Sequence, residues 1–286
     1  MIRGLYTAAS GMHAQEHRLD ALANNLANVD TAAYKRDQSV HKAFPELLIR
    51  RMSDDGVQRV PFMRPIGSVD TAPVVGRLGT GVEQNEVYTI YSQGSLKSSS
   101  NDFDLALNGP GFFVVETPYG ERLTRNGSFM IGQEGILLTQ EGFPVLGENG
   151  PIELKLNNFR VEKDGRIFHN PRYADDPNRL VTMRENEWEE MEELDQLRLV
   201  DVRRPRHLRK QGGSLYNSTW ESGDPQRLAG DARPQVLQGY IETSNVNPVT
   251  EMVEMIAVNR AYESNQKVID AQDQSTGKLL NEALRM

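Results

Sequence analysis

Between residues 2 and 26 the apolar side chains fall at Ile2, Leu5, Ala9, Met12, Leu19, Ala23 and Leu26, a seven-residue repeat that passes through Glu16. Such a stripe marks a helix with a seam narrower than the face a helix turns to a globular core. Leu22 and Val29 widen it near its end. At ~1.5 Å per residue the helix reaches roughly 40 Å. Over that length so thin a stripe leaves a lone helix short of apolar contacts, and it needs a partner.

The far end of the chain offers one. Asn247-Pro248 is an N-cap followed by proline at the first helical position. Val249, Met252, Val253 and Ile256 then mark one face, and Val268, Ile269, Leu279, Leu280 and Leu284 continue it with polar interruptions. Gly277 weakens the last third. The ordinary reading is a terminal helix packing on its own domain. The sharper one pairs a long helix at each end of the chain, with each other and with further copies.

From about Tyr91 to Ile241 the pattern changes to short β-type runs separated by Gly, Pro and Asn. The turn signals "TPYGER", "RNGS", "GQEG" and "GENGP" combine glycine, which supplies positive φ, with proline, which pre-sets the first turn position. Phe112 to Glu116 alternates poorly and is expected to be buried. The fold class that follows is α+β: long N- and C-terminal helices forming a coiled-coil or helical core layer, with an antiparallel, hairpin-rich β-domain between them. The expected organisation is an N-terminal helix over 1–42, an extended Pro/Gly-punctuated connector over 43–90, a β-rich outer domain over 91–242 and a C-terminal helix over 243–286.

Chemistry is hard to place on this chain. It has no cysteine, which removes disulfides, thiol catalysis and Cys-based zinc sites. A net charge of -8 argues against nucleic-acid binding. No run of about 18 apolar residues would insert in a membrane. The N-terminus lacks the charged, apolar and cleavage-site order of a secretory signal, so the expectation is a cytoplasmic protein or one exported without a cleaved signal. His13 and His17 stand four apart but lack a third ligand and a Glu base beside them. "GRLGTG" (76–81) has glycines but no Lys-Ser/Thr, and "NGSF" at Asn126 is only a short acceptor pattern. Gly-x-Ser-x-Gly is absent. No catalytic residue, cofactor or metal site is expected, and the protein reads as a non-enzyme.

Two features call for explanation. The stretch from Glu185 to Lys210 passes from acidic (Glu185 to Asp195) to basic (Arg203 to Lys210). It reads first as a solvated excursion of the β-domain and second as an electrostatic docking patch. Asn24, Asn25 and Asn28 crowd the end of the first helix, where asparagine competes for backbone groups. In a bundle of helices such amides fix register.

Four stretches carry a resemblance. They are "LYTAASGM" with "ANNLANVDTAAYKR", then "QGSLKSSSNDFDLALNGPGFFVV", "LTRNGSFMIGQEGILLTQEGFPVLG" and "QGYIETSNVNPVTEMVEMIAVNRAYESNQKVI". In that order they resemble the bacterial flagellar basal-body rod and hook family. The chain looks closer to the FlgF, proximal-rod type, with the FlgG, distal-rod type as the alternative. Ala33 stands where the family pattern has glycine. That implies either a backbone outside the left-handed region or a strain of roughly 1 kcal/mol or more.

The resemblance implies a structural subunit of the flagellar rod, located in the basal body as it crosses the periplasm. It implies self-assembly through the terminal helices into a helical tubular drive shaft, and export by the flagellar type III apparatus. The partners implied are copies of itself as a homo-oligomer within a helical assembly and other axial rod and hook proteins. The expected assembly residues are Ile2, Leu5, Ala9, Met12, Leu19, Leu22, Asn24, Asn25, Leu26, Asn28, Val249, Met252, Val253, Ile256, Val268 and Ile269. From another class, a secreted adhesin-like β-protein with helical ends remains the alternative.

Overall fold

The computed structural model describes residues 2–50, 59–61, 68–70, 74–154, 159–171, 191–230 and 233–284. Helix α1 spans Ile2–Ala27 and α2 spans Pro248–Ala283. The chain divides into two compact units. The first comprises Met1–Ala23, Gln38–Val87 and Met252–Met286, and the second Asn24–Asp37 and Tyr88–Glu251.

The second unit is built on an antiparallel six-stranded sheet. Its strands are β1 (Phe112–Thr117), β2 (Gly120–Thr124), β3 (Leu199–Asp201), β4 (Arg209–Gly212), β5 (Leu215–Asn217) and β6 (Gln226–Arg227). Their spatial order is β4-β5-β2-β1-β3-β6. β1 and β2 form a tight hairpin, with Thr117 opposite Gly120 and Val114 opposite Leu123. Gly120 takes φ 99° there, a value that L-residues avoid.

β1 is buried on both faces. Phe113 and Val115 join one apolar cluster with Leu105, Phe129, Val145, Ile167 and Leu197. Phe112 and Val114 join another with Leu123, Val200, Leu208 and Tyr216. A strand covered on both sides gains nothing from alternation, which is why its sequence is a continuous apolar run.

Shorter antiparallel pairs surround this sheet: 129–131 with 137–139, 105–108 with 235–238, and 96–98 with 240–242. Strand Glu192–Gln196 closes a three-stranded sheet with 160–161 and 166–169. The acidic residues of the charged stretch up to Glu190 lie outside the described residues.

In the first unit α1 and α2 run antiparallel, and the coiled-coil core layer expected from the heptads is not what they form. A Cβ on Gly4 would lie 2.0 Å from Gln272 Nε2, and one on Gly11 would lie 2.9 Å from Asn265 Nδ2. Two turns further on, Arg18 reaches Glu254 at 3.4 Å. The facing residues are therefore Gly4, Gly11 and Arg18, each one position before the predicted Leu5, Met12 and Leu19. A shift of one residue turns a helix by about 100°, which carries the apolar stripe away from the partner.

The reason is local. Glycine lets the second helix approach, and the space it leaves is taken by an amide, which a leucine seam would not admit. The two helices thus accompany a β-rich body instead of forming an apolar layer of their own. Among the described residues of the first unit only Ala8, Ala14, Leu22 and Val258 are buried apolar side chains.

The same unit holds strand pairs 37–43 with 82–89, and 47–50 with 74–78. On the latter ribbon Leu47, Leu48, Ile49, Val74 and Val75 are exposed.

Candidate functional site

Two arrangements stand out: the outward faces of the helices, and a buried polar junction within the second unit, where the exit of α1 and the start of α2 meet the β-strands.

On the helices the expected assembly residues separate by burial. Leu5, Asn24, Val249, Met252, Val253, Ile256 and Val268 are exposed. Ala9, Met12, Leu19, Leu26, Asn28 and Ile269 are half-buried, and Leu22 and Asn25 are buried. The side chain of Ile2 lies outside the described residues. Val253 at 61% and Ile256 at 54% exposure show how far the predicted stripe of α2 stands open. Large exposed apolar patches of this kind mark protein or membrane interaction sites or ligand grooves.

The junction begins at the end of α1. Asn25 is fully buried. Its Nδ2 donates to the Asp37 carbonyl at 2.8 Å and to Glu251 Oε2 at 3.1 Å, and its Oδ1 accepts the Asp37 N–H at 2.9 Å. Glu251, in the first turn of α2, also pairs with Arg36 at 2.7 Å. Asn24 and Asn28 stay local. Asn28 Nδ2 donates to the Asn24 carbonyl at 2.9 Å, and the Tyr34 hydroxyl donates to Asn24 Oδ1 at 2.9 Å. Asn247 caps α2, its Oδ1 accepting the Val249 N–H at 3.1 Å, the role its place before Pro248 predicts.

Ala33 has φ 54° and is 1% exposed. Of the two backbones its sequence allowed, it adopts the left-handed one. Its N–H donates to the Glu242 carbonyl at 2.8 Å, which fixes the exit of α1 against the strand Tyr240–Glu242.

Glu242 is the centre of the junction. Oε1 accepts from Lys35 Nζ at 2.6 Å and from the Gly94 N–H at 2.8 Å, while Oε2 accepts from Arg125 Nε at 2.7 Å. All three side chains are at most 5% exposed. A Cβ on Gly94 would meet the Thr243 carbonyl at 2.0 Å, so only glycine brings that N–H to the carboxylate.

Arg125 spends its remaining N–H groups on the carbonyls of Leu107, Gly109 and Gly111, and Lys35 also donates to Ser92 O at 2.7 Å. Burial lowers the Lys35 pKa, and Glu242 opposes that shift. Lys210 bonds Asp37 Oδ1 at 2.9 Å and the Lys35 carbonyl at 2.7 Å, and burial lowers its pKa as well.

A buried carboxylate matched by two cations and a backbone donor is a structural latch. It holds charges that cannot leave without breaking the junction. No group of metal ligands occurs among the described residues. His13 is exposed, with Nδ1 3.4 Å from Glu16 Oε2.

Sequence reading passed over Lys35, Arg125 and Glu242, and also Gly4, Gly11, Asn265 and Gln272. The signal for the second group was the spacing of seven that joins Gly4, Gly11, Arg18 and Asn25.

The chain matches three family descriptions. Residues 5–35 match "Flagella basal body rod protein". Residues 106–169 match "Flagellar hook protein FlgE/F/G D1 domain". Residues 237–282 match "Flagellar basal body rod FlgEFG protein C-terminal". It is 35% identical to the flagellar basal-body rod protein FlgG of Buchnera aphidicola subsp. Schizaphis graminum, over 98% of this chain and 99% of that one. Against the flagellar hook-basal body complex protein FlhO of Bacillus subtilis the identity is 33%, over 99% and 98%. Against the flagellar basal-body rod protein FlgF of Caulobacter vibrioides it is 32%, over 94% and 93%.

Proposed function

The chain belongs to the flagellar basal-body rod protein family, as a structural subunit of the basal-body rod, and on that premise we propose how it assembles. Copies join head to tail through the outward faces of their terminal helices and build a helical shaft. Other axial rod and hook proteins continue that shaft at its ends. Relatives named FlgG and FlgF match at 35% and 32% identity, so the family is common to both types. Delivery by the flagellar type III apparatus to the periplasmic rod belongs to the same reading, as does a structural role without catalysis.

The observation that carries it is the poverty of the first unit's own core. Four buried apolar side chains in the described part of that unit stand against most of the exposed large apolar side chains among the described residues, including Leu5, Met252, Val253, Ile256 and Val268. Each such side chain gains ~1.5–3 kcal/mol when fully covered. A heterologous contact that does not close on itself covers them in every copy and yields a filament. The buried latch at Glu242 keeps the exit of the first helix closed on the β-strands while this happens.

Circular dichroism during assembly tests the proposal. The dilute chain is expected to show strong β signal with frayed helices, and helicity should rise as polymers form. Full helicity in dilute monomer together with no polymer under any condition would count decisively against it.

A further inference from the structure

Trp220 is 90% exposed. Single apolar side chains on a surface need no explanation, but this one sits on a turn fixed both from within and from behind. The Thr219 N–H donates to Ser222 Oγ at 2.8 Å, and the Ser222 N–H donates to Thr219 Oγ1 at 3.2 Å. Gly223, at φ 83°, closes the turn by donating its N–H to the Thr219 carbonyl at 3.2 Å. Thr219 Oγ1 also donates to the His207 carbonyl at 2.8 Å, and the Arg204 N–H donates to the Ser222 carbonyl at 3.2 Å. The backbone that carries the indole is thus ordered beforehand, so covering the ring costs little further entropy.

The segment that anchors this turn also walls a cavity of about 300 Å³ in the same unit. Asp201 and Pro205 come from that segment, and Tyr91, Pro110 and Phe112 make the rest of the lining largely apolar. The Tyr91 and Phe112 rings meet edge to face with centroids 5.8 Å apart. Lys35 and Arg125 of the latch line the cavity as well. Its size lies at the low end for a ligand pocket, which suits one aromatic side chain.

We propose that this cavity receives Trp220 of a neighbouring copy of this chain. The flat body of an indole matches an aromatic and proline lining, and its face attracts cations such as Lys35 and Arg125. Its N–H is a donor only, and the Asp201 carboxylate supplies the acceptor. Tryptophan is also the residue type most often found to anchor an interface when it enters a pocket on the partner. A knob on one copy and a cavity on the next make a heterologous contact, which repeats along an open filament. The inference rests on the self-assembly proposed above and adds a contact between β-rich units to the one between helices.

The chain has no cysteine, so introduced thiols are the only ones present. E221C chains, which keep the indole, are mixed with P110C chains and treated with a short bismaleimide. The expected product is a dimer joining one chain of each kind. Adding W220A to the E221C chain should lower its yield at least about tenfold. A Y119C chain in place of E221C, with its thiol at another exposed aromatic position (Tyr119, 85% exposed), should give as little. Equal yield from these controls overturns the proposal. So does a link that forms only when E221C and P110C share one chain, because the turn would then lie over its own cavity.

Fluorescence gives a second reading. In a W188F chain Trp220 is the only tryptophan, and its emission should shift to the blue and resist acrylamide as polymers form. Unchanged emission in polymers seen by light scattering also overturns the proposal. If unmutated chains do not polymerise at all, the assembly reading fails, and cross-linking of the mixed soluble chains still decides whether the cavity takes the indole.

Discussion

Lys35 Nζ lies 2.6 Å from Glu242 Oε1 with both side chains no more than 2% exposed. The same carboxylate takes Arg125 at 2.7 Å, so one anion balances two cations, and the consequences of removing each partner are unequal. Glu242→Gln leaves two buried cations facing each other, and breaking such a pair costs about 3–5 kcal/mol. Lys35→Met leaves the carboxylate matched by Arg125 and the Gly94 N–H, and the expected loss is about 1–2 kcal/mol. Urea unfolding of the two variants checks the order, and equal losses would show that Arg125 does not sustain the carboxylate.

At alkaline pH the buried tyrosines govern stability. Burial, with Asp37 adding to it, raises Tyr34 and Tyr91 well above the usual phenol value, and burial raises Tyr216 too. A group raised in the folded state gives its full stabilisation below its unfolded pKa of about 10 and loses it as pH climbs toward the folded value. Lys35 and Lys210, lowered by burial, act in the opposite sense and only up to about pH 10.5. Thermal melts from pH 9 to 12 should therefore fall steeply above about pH 10. The Tyr91→Phe variant should show a shallower fall, and an unchanged slope would exclude that phenol.

Ala33 holds φ 54° at 1% exposure. Replacing it by glycine relieves a left-handed penalty of about 1–2 kcal/mol and loses a buried methyl worth ~0.8 kcal/mol. Ala33→Gly should thus be neutral or stabilising by up to about 1 kcal/mol, whereas Ala33→Val should cost more than about 2 kcal/mol. A valine variant as stable as the parent would mean that the turn can adopt another backbone.

Asn25 donates to Glu251 Oε2 at 3.1 Å and to the Asp37 carbonyl at 2.8 Å from a fully buried site. An aspartate there cannot donate to either when ionised, and it adds a second carboxylate beside Glu251. Asn25→Asp is expected to cost about 3 kcal/mol or more at pH 7. Asn25→Ala should cost less, because it leaves partners unmet without adding charge. Denaturation at pH 7 and pH 4 separates the two, since protonation should return part of the aspartate loss only.

Ile256 is 54% exposed in the monomer. Ile256→Asp should leave monomer stability within about 0.5 kcal/mol and abolish polymer growth seen by electron microscopy. Normal polymers from this variant would place the contact on another face.

Much of this was legible. The β-run Phe112–Val115, the cap at Asn247 and the helical ends follow from local chemistry, which needs no knowledge of distant residues. The seam between the helices was misread by one residue, because apolar spacing points to Leu5 and Met12 while the contact is made by Gly4, Gly11 and polar partners. The latch was invisible for a different reason. Lys35, Gly94, Arg125 and Glu242 come from four separated stretches, and a lysine or a glutamate read alone looks solvated. Only the fold shows that the stretches carrying the family resemblance meet at one carboxylate.

The bond between Lys35 and Glu242 joins positions 207 residues apart. A chain that emerges N-terminus first brings Lys35 out long before its counter-charge exists beside it. Until residue 242 follows, that ammonium lacks its carboxylate partner. The junction is therefore a late event in time as well as a central one in space. A chain made only as far as residue 241 lacks the carboxylate, so closing this junction needs the first 242 residues.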